Sequence, residues 1–341
     1  MQRALYTELY QRVLYSPDIE PVRDALRRGA NPNYPKGRSR YYTTALHAAV
    51  SEARELNVEK INTLVIEGRC DVDILDNQGR TALLWASGYS SMFPVVQELL
   101  TLDANPNIVS NYGITALCEA ATYSSAEIVR ELLKYGADVN PPIHRDAVRQ
   151  SPLSCATIRN DPTVAIILLD HGARIDALTS DGKTVLGEAV RFRSVDTVDM
   201  LLSRNADPNA VDGRTKTPLH ICAENHTENA TIARMLLEAG ADPNARGRLG
   251  ATPLHSAVRY GNMVMVEFLV RNKADLWAKN QDGETALQVA ASRPDFEPIA
   301  AYLREREHEE RLLAVMMSSH RRLGGHSRQV PMDVWRRIVA I

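Results

Sequence analysis

Histidine and cysteine are the side chains of this 341-residue chain that most invite a chemical reading. His220, Cys222 and His226 stand close enough to suggest a metal site. A structural zinc centre needs four ligands, however, and no second pair follows. Cys222 also takes the place of a small core residue in a recurring pattern. The four cysteines (Cys70, Cys118, Cys155 and Cys222) fall singly at different offsets, which makes neither a disulfide framework nor a zinc pair and fits a reducing compartment. His47, His220 and His255 share one slot, directly after Thr-x-Leu, where an imidazole can tie neighbouring turns by hydrogen bonds. Their recurrence argues for structure over catalysis. There is no Gly-rich phosphate loop, no HExxH and no nucleophile elbow. We expect no catalytic residue, no metal ligand and no cofactor.

The loops carry a different signal. Residues at the expected loop tips include Arg38, Arg40, Tyr41, Tyr42, Arg145, Arg149, Lys216, Arg246 and Arg248, together with Lys36, Arg80, Tyr112, Lys183 and Arg214. Most are basic, although the whole chain has a net charge of −2. Such asymmetry steers an acidic partner toward the tips and acts on association rate more than on affinity. The alternative is that Arg and Lys simply populate exposed turns. Nucleic acid is not expected, because the tips lack a regular series of aromatic rings for base stacking.

The elements that must position these tips announce themselves by repetition. Thr44-Ala45-Leu46-His47 returns as Thr81-Ala82-Leu83, Thr115-Ala116-Leu117, Ser151-Pro152-Leu153, Thr184-Val185-Leu186, Thr217-Pro218-Leu219, Thr252-Pro253-Leu254 and Thr285-Ala286-Leu287. A period near 33 residues marks stacked units, none of which buries its apolar face alone. The Thr caps a first helix, and Pro is tolerated at its first position. A second helix follows with apolar residues at helical spacing, such as Ile128, Val129, Leu132 and Leu133. It stops at Gly and an Asp/Asn coda, as in Gly136-Ala137-Asp138-Val139-Asn140. Asp-Gly turns (Asp181-Gly182, Asp212-Gly213, Asp282-Gly283) lead to the next Thr.

In these motifs the chain resembles ankyrin-repeat proteins over roughly residues 1 to 305. The resemblance implies an all-α solenoid of about eight helix-turn-helix repeats with hairpin-like loops, preceded by an atypical capping unit. It also implies protein binding through loop tips and the first helices, on the concave side. The expected divisions are a capping repeat at 1–39, the array at 40–305 and a helical tail at 306–341. In the capping unit Leu5, Leu9 and Val13 form one stripe.

The tail ends in Val330-Pro331-Met332-Asp333-Val334-Trp335-Arg336-Arg337-Ile338, with an apolar face at helical spacing. It resembles the truncated F-box-like ending of ankyrin-repeat proteins from poxviruses, other large DNA viruses and some of their hosts. The resemblance implies docking on a Skp-type adaptor of a cullin–RING ubiquitin ligase, with Val330, Pro331, Val334, Trp335 and Ile338 as the docking face. On that reading the repeats select the substrate. The alternative is a plain scaffold or inhibitor whose tail only caps the array. No apolar run reaches the length of a membrane span or signal peptide, so a cytoplasmic or nuclear monomer is expected.

Overall fold

The computed structural model describes residues 1–34, 43–51, 58–123, 125–142, 151–157, 160–179, 181–224 and 229–322. These residues fold as helix pairs with no strand among them, the all-α repeat architecture expected. The chain divides into two compact units, Met1–Asp207 and Pro208–Ile341.

The first unit holds α1 (Gln2–Tyr15), α2 (Glu20–Arg27), α3 (Ala45–Ser51) and α4 (Val58–Asn62), then α5 (Ala82–Ser87), α6 (Phe93–Thr101), α7 (Ala116–Thr122) and α8 (Ala126–Lys134). It ends with α9 (Pro152–Ala156), α10 (Pro162–Asp170), α11 (Val185–Arg191) and α12 (Val195–Ser203). The second unit holds α13 (Pro218–Glu224), α14 (Ala230–Glu238), α15 (Pro253–Arg259), α16 (Met263–Arg271), α17 (Ala286–Ala291) and α18 (Glu297–Arg322). Helix α18 runs without a break through residues 305 and 306, where the sequence reading starts the tail.

Each first helix is capped by the recurring hydroxyl. Thr81 Oγ1 accepts the Leu84 N–H at 3.1 Å, Ser151 Oγ that of Ser154 at 3.1 Å, and Thr184 Oγ1 that of Gly187 at 3.0 Å. The leucine two residues after the cap points into the stack in all but the last of these units, where Leu287 is half-buried. Leu46, Leu83, Leu117, Leu153, Leu186, Leu219 and Leu254 are all buried. Second helices contribute Leu99, Leu132, Leu168, Leu201, Leu236 and Leu269, also buried. Fully burying one such side chain is worth about 1.5–3 kcal/mol. Within the first unit α3, α5, α7 and α9 pack in sequence, as do α13, α15 and α17 within the second. In the capping unit the buried stripe is Tyr6, Leu9 and Val13, with Leu5 half-buried.

The fingers between pairs are tight turns whose bases are closed by backbone bonds, not paired strands. Asp76 N–H reaches Arg80 O at 2.9 Å, Asp212 N–H reaches Lys216 O at 2.9 Å, and Gly247 N–H reaches Ala251 O at 2.8 Å. Behind them runs a ladder of asparagines. Asn33, Asn107, Asn140, Asn209 and Asn244 each donate to a carbonyl in the following turn and accept a backbone N–H there, at 2.7 to 3.3 Å. These paired bonds set the spacing at which successive fingers stand.

Candidate functional site

The three recurring histidines sit between fingers. His47 Nδ1 lies 2.8 Å from Thr44 Oγ1, and its Nε2 lies 2.9 Å from Arg80 O. His220 repeats this with Thr217 Oγ1 at 2.8 Å and Ala251 O at 3.0 Å. His255 does so with Thr252 Oγ1 at 2.9 Å and Glu284 O at 3.0 Å. A carbonyl can only accept, so Nε2 carries the proton and Nδ1 accepts from the hydroxyl. Both ring nitrogens are committed. Burial pushes all three imidazoles below their ordinary titration range. The arrangement leaves no nitrogen to act as general base. Cys222 is fully buried in α13, and burial pushes its thiol up. His226 lies outside the described residues.

In the first unit Arg80 is held in a compact cluster. Its guanidinium ion-pairs with Asp76 at 2.8 Å and stacks 4.5 Å from the Trp85 ring centroid. Trp85 Nε1 donates to Asp76 Oδ2 at 3.1 Å, and His47 meets the same ring edge-on at 5.7 Å. Burial works to raise the Asp76 carboxyl, but hydrogen bonds from Arg80 and Gln78 outweigh it and hold the group below the usual carboxylate range. Arg80 is therefore a brace within its finger.

The second unit contains an open recess of about 300 Å³, formed by the inner helices α13, α15 and α17 and the adjoining fingers. Lys216, Glu224, Arg248, Leu249, Arg259 and Tyr260 line it. Lys216 Nζ is neutralised by Glu224 at 2.6 Å. Arg248 and Arg259 form no ion pair among the described residues. Arg246 is not free for a ligand in the same way. Its Nη1 donates to Gly250 O at 3.2 Å and Lys279 O at 2.6 Å, joining two successive fingers. Leu249 N–Cα adopts φ 58°, and its carbonyl accepts the Gln281 N–H at 2.9 Å. Gly247 is required for a different reason: a Cβ there would stand 2.7 Å from His220 Nε2. After burial, the positive charges of Arg246 and Arg259 help hold His255 neutral, against the opposing pull of Glu284.

Of the residues expected at the binding surface, the structure brings Lys216 and Arg248 to this recess and places Arg246 beside it as a finger brace. Arg38, Arg40, Tyr41, Tyr42, Arg145 and Arg149 lie outside the described residues, as do Val330, Pro331, Val334, Trp335 and Ile338. Arg259, Tyr260 and Leu249 were not among the expected contacts. Arg259 and Tyr260 end a first helix, in Ala257-Val258-Arg259-Tyr260, and attention to loop tips alone passes over that position.

Comparison with known proteins agrees with the repeat geometry. The family model described as ankyrin repeats (3 copies) matches residues 46–143, 141–212, 181–247 and 219–311. The chain is 31% identical over 251 residues to human B-cell lymphoma 3 protein, covering 73% of this chain and 48% of that protein. It is 29% identical over 202 residues to neurogenic locus notch homolog protein 1 of Xenopus tropicalis, covering 53% of this chain and 8% of that protein. The chain thus spans less than half the length of either relative. The crystal structure of the human ASB11 ankyrin repeat domain superposes with a TM-score of 0.57 at 25% identity, covering 67% of this chain and 98% of that domain. With the capped helix pairs, the stacked leucines and a family model matched over most of its length, the chain belongs to the ankyrin-repeat family.

Proposed function

We propose that this chain is a non-catalytic recruiting subunit. Its repeats hold a partner protein, acidic where it meets the finger tips, and the end of its tail docks on a Skp-type adaptor of a cullin–RING ubiquitin ligase. Ankyrin repeats are protein-interaction modules, and the observation that carries the reading is the recess of the second unit. There, Arg248 and Arg259 line the same recess as exposed Leu249 and Tyr260, with no carboxylate among the described residues to satisfy them. Guanidinium groups without partners at a concave surface favour an anionic ligand. The docking face on this reading is Val330, Pro331, Val334, Trp335 and Ile338.

The second reading is a scaffold or inhibitor whose tail caps the array. It draws on α18, which extends as one helix to Arg322. Leu313 on that helix is buried, and the Arg311 guanidinium lies 5.4 Å from the Trp277 ring centroid. These contacts support a capping role for the stretch of α18 up to Leu313, and on the recruiting reading the docking face lies beyond it. Co-precipitation with the intact chain and with Trp335→Ala separates the readings. Recruitment expects the intact chain to recover a Skp-type adaptor and Trp335→Ala to lose it. If the intact chain recovers a partner protein and no adaptor, the scaffold reading holds.

A further inference from the structure

We infer that the recess of the second unit is a docking site for a short linear segment of a partner protein, in which one carboxylate side chain sits directly beside a large apolar one. This rests on the reading of the chain as a protein-interaction module and specifies what the module recognises.

Of the cations around the recess, Lys216 is neutralised by Glu224 and Arg246 is spent on two backbone carbonyls. Arg248, on the finger, and Arg259, at the end of α15, remain. Two planar guanidiniums facing one recess match a carboxylate, which accepts charge-assisted, bidentate hydrogen bonds. Lys216 and Glu224, paired in the same wall, add no net charge to it, so the positive charge of the recess is confined to two guanidiniums and offers no continuous track for a polyanion. Tyr260 is the single Phe, Tyr or Trp in the lining, and the His220 and His255 rings beside it are buried and committed to hydrogen bonds, so a series of bases has no platform to stack on.

The apolar requirement comes from Leu249. Among the described residues, the fingers at Gly79, Gly113, Gly182, Thr215 and Gly283 each hold one residue in the left-handed region, whereas this finger holds two, Leu249 at φ 58° and Gly250 at φ 67°. A leucine in that conformation is strained, and such strain persists only where surrounding bonds enforce it. Here the Gln281 N–H and the Arg246 guanidinium do so. The effect is to leave an aliphatic side chain, 48% exposed, in the lining of the recess that also holds Tyr260, 38% exposed. A volume of about 300 Å³ lies at the small end of ligand pockets and suits one or two side chains, not a folded surface.

The test uses the full chain and fluorescence anisotropy. The probe is a fluorescein-labelled peptide with Glu-Leu-Glu-Phe between Gly-Ser flanks, compared with the same peptide carrying Gln for each Glu. We expect saturable binding of the acidic probe that weakens with added salt. We also expect a loss of roughly tenfold or more for the Gln peptide and for Arg248→Glu and Arg259→Glu. Leu249→Ala should weaken binding of both peptides, and Arg234→Glu, on the outer helix α14, should leave it unchanged. Circular dichroism confirms that each variant is folded. Absent binding, equal binding of the two peptides, or equal loss with Arg234→Glu overturns the inference. A partner co-precipitated equally by wild type and by the Arg248→Glu, Arg259→Glu double variant also overturns it, while leaving the protein-interaction reading intact. Failure of the intact chain to capture any protein would remove that broader reading.

Discussion

The histidines show how one residue type joins two repeats. Gln288 occupies the same slot in the last finger-bearing repeat, and its Oε1 accepts the Thr285 N–H at 2.8 Å. An amide thus reproduces the cap, while the imidazole also reaches the next finger's carbonyl. His220→Gln should therefore keep the fold and lose the bond to Ala251 O, at a cost of about 1 kcal/mol in urea unfolding at pH 7.5. That gap should narrow at lower pH. The folded-state pKa of His220 is pushed down by burial, so below about pH 6.5 the unfolded chain binds more protons than the folded one. Wild-type stability then falls by up to about 1.4 kcal/mol per pH unit for each such histidine, and the Gln variant is spared one share. A parallel pH profile for the two proteins would contradict the neutral-imidazole assignment. Asp73 is the reverse case. It stands in the asparagine ladder and accepts the Asn105 N–H at 3.0 Å, but a carboxylate has no proton to offer the Asp103 carbonyl. Desolvation raises its pKa, so it is least favourable when ionised at neutral pH. Asp73→Asn should raise stability by about 1 kcal/mol at pH 7, with the gain shrinking as acid protonates the wild-type carboxyl.

At the ends of the second helices from α2 to α16 the backbone turns left-handed, but the residue that does so varies. Gly29, Gly136, Gly172 and Gly240 take this position without cost, whereas Arg69, Asp103, Asn205 and Lys273 occupy it at φ between 53° and 66°. Asn and Asp tolerate the region better than Lys. Lys273→Gly should therefore stabilise the second unit by about 1 kcal/mol, and Asn205→Gly should do measurably less for the first. Equal gains, read from paired thermal melts, would mean that side-chain chemistry at this position is immaterial. The Gly-Asp-Asn coda was legible in the sequence, because turn chemistry is local. Its deviations were less so. Leu64 and Cys70 are six apart, whereas Leu99 and Ala104 are five apart, as are Leu132 and Ala137. The extra residue is absorbed by a π-helical turn, Thr63–Glu67, that swings Ile66 to 64% exposure while Leu64 stays buried. Helix propensity contains no term for an inserted residue; the register of Leu64 against its neighbours imposes the wider turn.

Across the whole chain, what repeats was readable and what occurs once was not. Seven Thr-x-Leu phrases and one Ser-x-Leu phrase disclosed the stack, the caps and the buried leucines, because each unit faces the same packing problem. The recess depends instead on which of several cations finds an internal partner. That was decided by the Lys216–Glu224 pair and the Arg246 carbonyl contacts, both set by folding. The stacking also predicts how damage spreads. Leu254 is fully buried in α15, which packs on α13, α16 and α17. Leu254→Ala removes core contacts worth about 2–5 kcal/mol. In a stack held by nearest neighbours the loss should open adjacent pairs first. Hydrogen exchange should then show amides of α13 to α17 losing protection, while those of α5 to α11 in the first unit keep theirs. The recess, built from the same helices, should lose its acidic probe in parallel. A uniform loss of protection from α5 through α17 would instead mean that the chain unfolds as a single cooperative body, and nearest-neighbour stacking would no longer account for its stability.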